Sequence, residues 1–154
     1  RNLGIDNTAA KNYIQRYFER YPGVKQYMEA TREAARRQGY VETVFGRRLQ
    51  LGGIQSAKGA QLAGLERAAI NAPMQGTAAD LIKLSMNAVQ KVLDDEKRLT
   101  KMIMQVHDEL VFEVPENEVD WVKTEIPRLM AGVADLKVPL LAEVGVGPNW
   151  DKAH

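Results

Sequence analysis

The stretch Met102–Val114 constrains the fold more than any other part of this sequence. It contains two apolar runs rich in β-branched residues, Ile103–Val106 and Leu110–Val114, which are separated by the polar segment His107–Glu109. This pattern predicts a buried β-hairpin with a polar tip. Because no Gly, Asn or Pro is present at the tip to favour a tight turn, we expect the polar side chains to be there for their chemistry.

The tip holds two adjacent carboxylates, Asp108 and Glu109, at the end of apolar strands. Such carboxylates repel each other, and a divalent cation or a cationic partner would offset the repulsion. The alternative is a tip whose charges simply face water. The hairpin by itself leaves both interpretations open.

Composition excludes several classes of protein. The chain has 154 residues, of which 45% are hydrophobic and 27% charged, so it can bury a sizeable core. No apolar segment approaches the roughly 20 residues that cross a bilayer, and the opening segment Arg1–Ile5 lacks the layout of a signal peptide. The absence of cysteine excludes disulfides and thiolate metal sites, which suits a cytoplasmic protein. With a net charge of +1, any binding of nucleic acid must depend on local clusters of Arg and Lys.

Periodic apolar residues predict two helices before the hairpin, over residues 8–21 and 24–39. N-cap candidates for the first helix lie at residues 6–8, and Gly39 is a C-cap candidate for the second. The second helix would turn four apolar residues inward: Val24, Tyr27, Met28 and Ala35. Its basic cluster could contact phosphate or complement the helix macrodipole, and it comprises Arg32, Arg36 and Arg37.

The remaining elements follow from the same signals. They are a short hairpin formed by Tyr40–Val44 and Arg48–Leu51, a helix from Gln61 that Pro73 would break or kink, a helix capped by Asn117, and a closing strand over Val138–Val146. We therefore expect residues 1–154 to form a single α+β unit built on a small antiparallel sheet.

Two blocks of the sequence resemble a known family. Gln105–Leu110 reads Gln-Val-His-Asp-Glu-Leu and closely resembles the third polymerase motif of family A DNA polymerases, the bacterial DNA polymerase I group. Glu66–Asp80 resembles a second block of that family, and the spacing between the blocks also fits. The resemblance implies the C-terminal portion of a polymerase domain, with much of the palm and the adjoining part of the fingers, from a cytoplasmic bacterial enzyme.

The resemblance also implies roles for the hairpin tip. Asp108 would be a carboxylate that bridges two Mg²⁺ ions, Glu109 a neighbouring catalytic acid with a supporting role, and His107 a residue near the primer terminus. The second metal-binding carboxylate and the nucleotide-binding helix would precede Arg1, so we expect this chain alone to be inactive. The parent enzyme would add deoxynucleotides from nucleoside triphosphates to primer-template DNA during replication and repair.

Three long polar side chains share one face of the helix that begins near Gln61: Arg67, Asn71 and Gln75. They could reach the minor groove, where every base pair offers acceptors at similar positions, and the resemblance assigns them to DNA near the primer terminus. Their face could instead point to water.

Two other classes of function stay open, a non-catalytic DNA-binding module and a structural protein. Whether residues 47–60 contact DNA is also left open. We further expect a truncated chain to expose apolar surface and to self-associate.

Overall fold

The computed structural model describes residue 4 and residues 6–154. Most of the opening segment, on which the interpretation of a missing signal peptide rests, lies outside these residues. The chain forms two compact units, the first ending at Gly76 and the second spanning Thr77–His154. Among the described residues, we find no helix with the length and apolarity that crossing a bilayer requires.

The first unit begins with two helices, α1 (Asn7–Arg20) and α2 (Pro22–Gln38). The Asp6 carboxylate accepts a hydrogen bond of 2.7 Å from the backbone N–H of Ala9, which confirms the predicted N-cap of α1. Gly39 adopts φ 80° at the end of α2, which confirms the predicted C-cap.

The inward face of α2 is narrower than its periodicity predicted. Ala35 is buried and Met28 is half-buried, whereas Val24 and Tyr27 are 38% and 36% exposed. The Tyr27 hydroxyl nevertheless donates a hydrogen bond of 3.4 Å to the carbonyl oxygen of Ile70, so this side chain does turn toward the protein, and only the prediction for Val24 is wrong. Both lie in the first half of α2, where the described neighbours leave them partly uncovered.

A short antiparallel hairpin follows, with strands β1 (Tyr40–Glu42) and β2 (Arg48–Gln50). It confirms the hairpin predicted from the sequence, although the strands are shorter. The apolar core of this unit combines residues from α2, the hairpin, the following loop and the next helix: Ala35, Val41, Leu51, Ile54 and Ala69.

The long helix α3 (Gly59–Asp95) continues through Pro73. Of the two outcomes predicted for this proline, a break or a kink, the break does not occur. Proline removes one backbone donor from a helix, but Ala69 and Gly76 are buried on either side of it and hold the flanking turns by packing.

The second unit contains the end of α3, the hairpin strands β3 (Lys101–Val106) and β4 (Glu109–Glu113), and the helix α4 (Val119–Ala131). The two strands are antiparallel, which confirms the predicted central hairpin and the α+β class. The hairpin is less buried than predicted, because Ile103 and Met104 of β3 are 57% and 44% exposed. The fully buried residues of the unit's core come from α3 and α4 and are Val89, Leu93, Val122 and Ile126.

The start of α4 differs from the prediction that Asn117 caps it. One turn of 3₁₀ helix, Glu116–Glu118, leads into α4 without a side-chain cap. The buried Glu118 carboxylate instead accepts hydrogen bonds of 3.0 Å from the N–H groups of Leu99 and Thr100. A carboxylate satisfies these strand-leading donors, and it thereby joins two segments that are distant in sequence.

The predicted strand Val138–Val146 is wrong, because this segment is irregular. An extended segment needs a partner for its backbone groups, and no strand among the described residues pairs with it. Leu141 is accordingly 88% exposed. The backbone at Gly147 packs closely on Lys152 instead, since a Cβ atom added there would lie 2.6 Å from the Lys152 carbonyl carbon.

Candidate functional site

The tip of the central hairpin is a two-residue turn, because Val106 and Glu109 are paired across it. His107 occupies the first central position with φ 54°. Hairpin turns of this length need positive φ there, which Gly adopts without strain and other residues adopt at a cost. The Gln105 side-chain amide donates a hydrogen bond of 2.7 Å to the carbonyl oxygen of His107 and braces the turn. The tip is thus a strained backbone position at which the side chains of His107 and Asp108 are exposed.

The two carboxylates at this tip have different surroundings. Asp108 is exposed, and no described residue forms a hydrogen bond or an ion pair with it. Glu109 is half-buried, and both of its carboxylate oxygens lie 3.0 Å from Nε2 of His154. The turn therefore leaves one acid available to an external cation and holds the other against the protein.

The described residues contain no group of three or more His, Cys, Asp or Glu side chains that could hold a metal ion. The single carboxylate of Asp108 nevertheless fits part of a magnesium site, because Mg²⁺ uses one or two carboxylates together with water and substrate phosphate oxygens. Its exposure leaves its oxygens accessible to such an ion. Asp108 and Glu109, which the sequence singled out together, are adjacent as expected.

The polar face of α3 is exposed at Arg67, Asn71 and Gln75. None of the described residues forms a side-chain hydrogen bond or an ion pair with these three. At a rise of about 1.5 Å per residue, the three positions span roughly 12 Å along the helix, which is about three to four base-pair steps of 3.4 Å. The structure therefore brings these side chains together on one accessible face.

The β1–β2 hairpin fixes the helix directly beyond this face. The Arg47 guanidinium donates a hydrogen bond of 3.2 Å to the carbonyl oxygen of Gly76. A Cβ atom added to Gly76 would lie 2.8 Å from Cγ2 of Thr43 and 2.9 Å from Cδ1 of Leu49. Only glycine allows this approach, so the residue after Gln75 is tied to the hairpin.

The basic cluster of α2 is partly neutralised within the protein. Nε of Arg36 lies 3.5 Å and Nε of Arg32 lies 3.9 Å from the two carboxylate oxygens of Glu66. Two of the three arginines therefore have an ion-pair partner within the protein, and phosphate is not needed to explain their presence.

Sequence reasoning singled out His107 but missed two other residues that shape the site, His154 and Gly76. The contact of His154 with Glu109 joins positions 45 residues apart, for which the sequence carries no local signal. The packing at Gly76 likewise depends on a distant hairpin. The positive φ of His107 could have been inferred from a two-residue turn, but the sequence suggested a three-residue tip.

Comparison with known proteins agrees with this architecture. The family model for DNA polymerase family A matches residues 1–152. The chain belongs to the family A DNA polymerases. The resemblance inferred from the two motif blocks is confirmed, and it extends across nearly the whole chain.

Relatives within the family are similar over the full segment. The chain is 54% identical to DNA polymerase I of Pseudomonas aeruginosa over 154 residues, which is 100% of this chain and 17% of that protein. It is 44% identical to DNA polymerase I of Chloroflexus aurantiacus over 97% of this chain and 16% of that protein. The chain therefore spans about one sixth of the length of these relatives.

A solved structure supports the same fold. It is the POL domain of Pol1 from M. smegmatis in complex with DNA primer-template and dNTP. The TM-score is 0.93 at 40% sequence identity, and the match covers 98% of this chain and 27% of that chain. The α+β fold of the family A polymerase domain is therefore confirmed.

Proposed function

We propose that the protein containing this chain is a cytoplasmic DNA-directed DNA polymerase that acts in DNA replication and repair. Residues 1–154 would supply the C-terminal part of the palm and the adjoining part of the fingers. Its substrates would be primer-template DNA and deoxynucleoside triphosphates. Family membership and the polymerase–DNA–dNTP complex of the M. smegmatis relative support this proposal.

The exposed Asp108 at the strained hairpin tip is the observation that carries the proposal. An acid with no described hydrogen-bond or ion-pair partner, held on a two-residue turn beside a second acid, is costly in a purely structural hairpin. A non-glycine residue with positive φ is a further cost at the same turn. Both costs are explained if the turn presents a carboxylate to a cation that arrives with substrate.

In the proposed reaction, the 3′ oxygen of the primer attacks the α-phosphorus of the incoming nucleotide. A new P–O bond forms, the bond to the bridging oxygen of the β-phosphate breaks, pyrophosphate leaves, and the primer hydroxyl loses its proton to solvent. Two Mg²⁺ ions, when bound, would activate the attacking oxygen and stabilise the leaving one. Asp108 would hold metal, Glu109 would support it as the neighbouring acid, and His107 would lie near the primer terminus.

The face formed by Arg67, Asn71 and Gln75 supports the DNA-binding part of the proposal. Its accessible amide and guanidinium donors match the minor-groove acceptors that all base pairs share. Contacts of this kind test the geometry of a base pair rather than its identity. A polymerase needs that property because it must accept every correct pair.

The hairpin is tested by primer extension with the full-length chain that contains this segment. We expect Asp108→Ala to abolish extension and to leave primer-template affinity close to wild type, because the carboxylate holds metal and repels phosphate. Glu109→Ala should cost less. Glu113→Ala is the matched control, since it removes an exposed acid from the same hairpin, and it should extend primers like wild type.

Normal extension by Asp108→Ala would overturn the metal-binding role. Equal losses from Asp108→Ala and Glu109→Ala would overturn the division of roles between the two acids. A full-length wild-type chain that binds primer-template without extending it would show a non-catalytic DNA-binding module.

The helix face is tested by primer-template affinity across a salt series. Asn71→Ala and Gln75→Ala should slow extension most from altered terminal pairs and leave the salt dependence unchanged, because neither residue carries a charge. Arg67→Ala should weaken binding to any sequence. It should lower the salt slope by about one unit if Arg67 also neutralises a phosphate. Wild-type behaviour of all three variants with every terminus would refute a DNA-reading role.

We also propose that the 154-residue chain alone doesn't extend primers. The described residues contain no group of three or more His, Cys, Asp or Glu side chains that could hold a metal ion, and we expect a site that bridges two ions to need carboxylates besides those of the hairpin tip. Template-directed incorporation by the purified chain, with contaminating polymerase excluded, would contradict this proposal.

A further inference from the structure

The imidazole ring of His154 lies between two hydrogen-bond acceptors. Nδ1 is 2.8 Å from the backbone carbonyl oxygen of Trp150. Nε2 is 3.0 Å from each carboxylate oxygen of Glu109. The ring therefore connects the hairpin tip to a segment that follows it by more than forty residues.

These partners determine the protonation state of the ring. A carbonyl oxygen and an ionised carboxylate can only accept hydrogen bonds, so both ring nitrogens must carry a proton for both contacts to form. That state is the imidazolium cation. The Trp150 carbonyl and, after it, the Glu109 carboxylate accordingly raise the pKa of His154 above its ordinary value.

The ring is oriented by its own segment before it meets Glu109. Residues 149–154, which we call the 149–154 turn, contain one turn of 3₁₀ helix over Asp151–Ala153. The Asn149 side chain accepts a hydrogen bond of 2.9 Å from the Lys152 N–H, and its carbonyl oxygen accepts one of 3.1 Å from Ala153. The Trp150 ring meets the imidazole edge to face, with centroids 4.8 Å apart.

The same turn is held against the preceding segment. A Cβ atom added to Gly145 would overlap the carbonyl oxygen of Ala153, and one added to Gly147 would lie 2.7 Å from the carbonyl oxygen of Lys152. Backbone packs directly on backbone at both positions. Because the turn is fixed in this way, little conformational entropy remains to be lost when His154 binds Glu109.

We propose that His154 is a positioning residue that holds the Glu109 carboxylate in its working orientation at the hairpin tip. This inference rests on the proposed polymerase function, because it assigns an action through Glu109 on that reaction. A cation beside Glu109 offsets its repulsion from Asp108. A partner on both oxygens also limits the rotamers of the Glu109 side chain.

The test measures single-nucleotide incorporation by the full-length chain, with variants that separate the two contacts of the ring. His154→Ala removes both. His154→Asn places an amide where Nδ1 lies and can keep the bond to Trp150, whereas His154→Gln places an amide near Nε2 and can reach Glu109. Lys152→Ala is the control in the same turn, because its side chain is exposed and only its backbone packs.

We expect His154→Ala to lower kcat about three- to tenfold, as for a charge-assisted hydrogen bond at a half-exposed site. KM for nucleotide and primer-template affinity should change less than about twofold, because His154 acts through Glu109 rather than on substrate. His154→Gln should recover most of the rate, and His154→Asn should behave like His154→Ala. Rescue by Asn but not by Gln would show that the ring only stabilises the 149–154 turn, which would overturn the proposal.

A double-mutant cycle gives a second, independent measurement. In the Glu109→Ala background, His154→Ala should have no further effect on kcat, since its target is gone. Full additivity of the two losses would overturn the proposal, as would wild-type kcat of His154→Ala. Wild-type chain and Asp108→Ala are measured alongside. The proposed function fails if the wild-type chain does not extend primers or if Asp108→Ala extends them normally. If Asp108→Ala is inactive and the His154 variants keep the wild-type kcat, only the positioning role is refuted.

Discussion

Two glycines in α3 offer a test of how the β1–β2 hairpin fixes the helix beside Gln75. Alanine normally stabilises a helix interior relative to glycine by about 0.5–1 kcal/mol. At Gly64 no atom lies within 4 Å of the position that a Cβ would take, so Gly64→Ala should give this gain. At Gly76 the same substitution meets Thr43 and Leu49 within 3.0 Å. The two substitutions should therefore change stability in opposite directions.

The cost at Gly76 depends on whether its neighbours can move. Thr43 is buried, and its hydroxyl oxygen accepts hydrogen bonds of 3.2 Å from Phe45 N–H and 3.3 Å from Arg47 N–H. Rotation of Thr43 to relieve the contact would break these bonds. Overpacking of this kind costs about 1–3 kcal/mol. Because the helix-propensity gain is common to both variants, Gly76→Ala should be less stable than Gly64→Ala by about that amount.

Equilibrium urea unfolding of both variants in the same chain measures the difference directly. Unequal slopes would indicate that a variant has changed the surface exposed on unfolding, so midpoints and slopes must both be compared. Two variants of equal stability, within about 0.5 kcal/mol, would refute the reasoning. That result would mean that Thr43 and Leu49 can move to accommodate a methyl group, and that the packing of the hairpin does not need glycine at position 76.

Three further predictions follow from the same structure. His107→Gly should leave the hairpin as stable or more stable, because it relieves a positive φ that costs about 1–2 kcal/mol, yet primer extension by the full-length chain should slow; parallel loss of both would refute this. The pKa of the Glu118 carboxyl is lowered below the ordinary 4.5, chiefly by the hydrogen bond from the Leu99 N–H. The ionised carboxylate therefore stabilises the fold fully above pH 4.5, and this stabilisation is lost as the pH falls through the lower pKa of the folded state. Urea unfolding should therefore show Glu118→Gln less stable than wild type at pH 7, with a gap that closes in acid, and a pH-independent gap would contradict it. The 154-residue chain should self-associate through α1, where Tyr13 is 68% and Ile14 is 51% exposed. In sedimentation experiments the apparent mass should rise with concentration for the wild-type chain and not for Ile14→Lys. A wild-type chain that stays monomeric at high concentration would count against this prediction.

Part of the candidate site follows from sequence because it is local. The apolar runs on either side of His107–Glu109 predict the central hairpin and its polar tip, because β-branched and apolar residues favour strands and the polar interruption marks the turn between them. Helical spacing likewise places Arg67, Asn71 and Gln75 on one face. Neither conclusion needed a distant residue.

The sequence failed where a segment needs a partner. Val138–Val146 has the composition of a strand, but composition doesn't supply backbone hydrogen bonds, and no described strand pairs with it. Proline favours a break or a kink in a helix, but α3 is continuous through Pro73, and buried residues on both sides of it hold the neighbouring turns.

The sequence by itself determined most of the helices, both hairpins and the family, because periodicity and motifs are properties of neighbouring residues. Only the tertiary structure decided that Asp108 is accessible while Glu109 is held by His154. It alone decided that a side chain at Gly76 would meet Thr43 and Leu49. Both outcomes depend on contacts between residues far apart in the chain. A difference of a few ångströms decides whether two such residues touch, and the local sequence pattern contains no information about that distance.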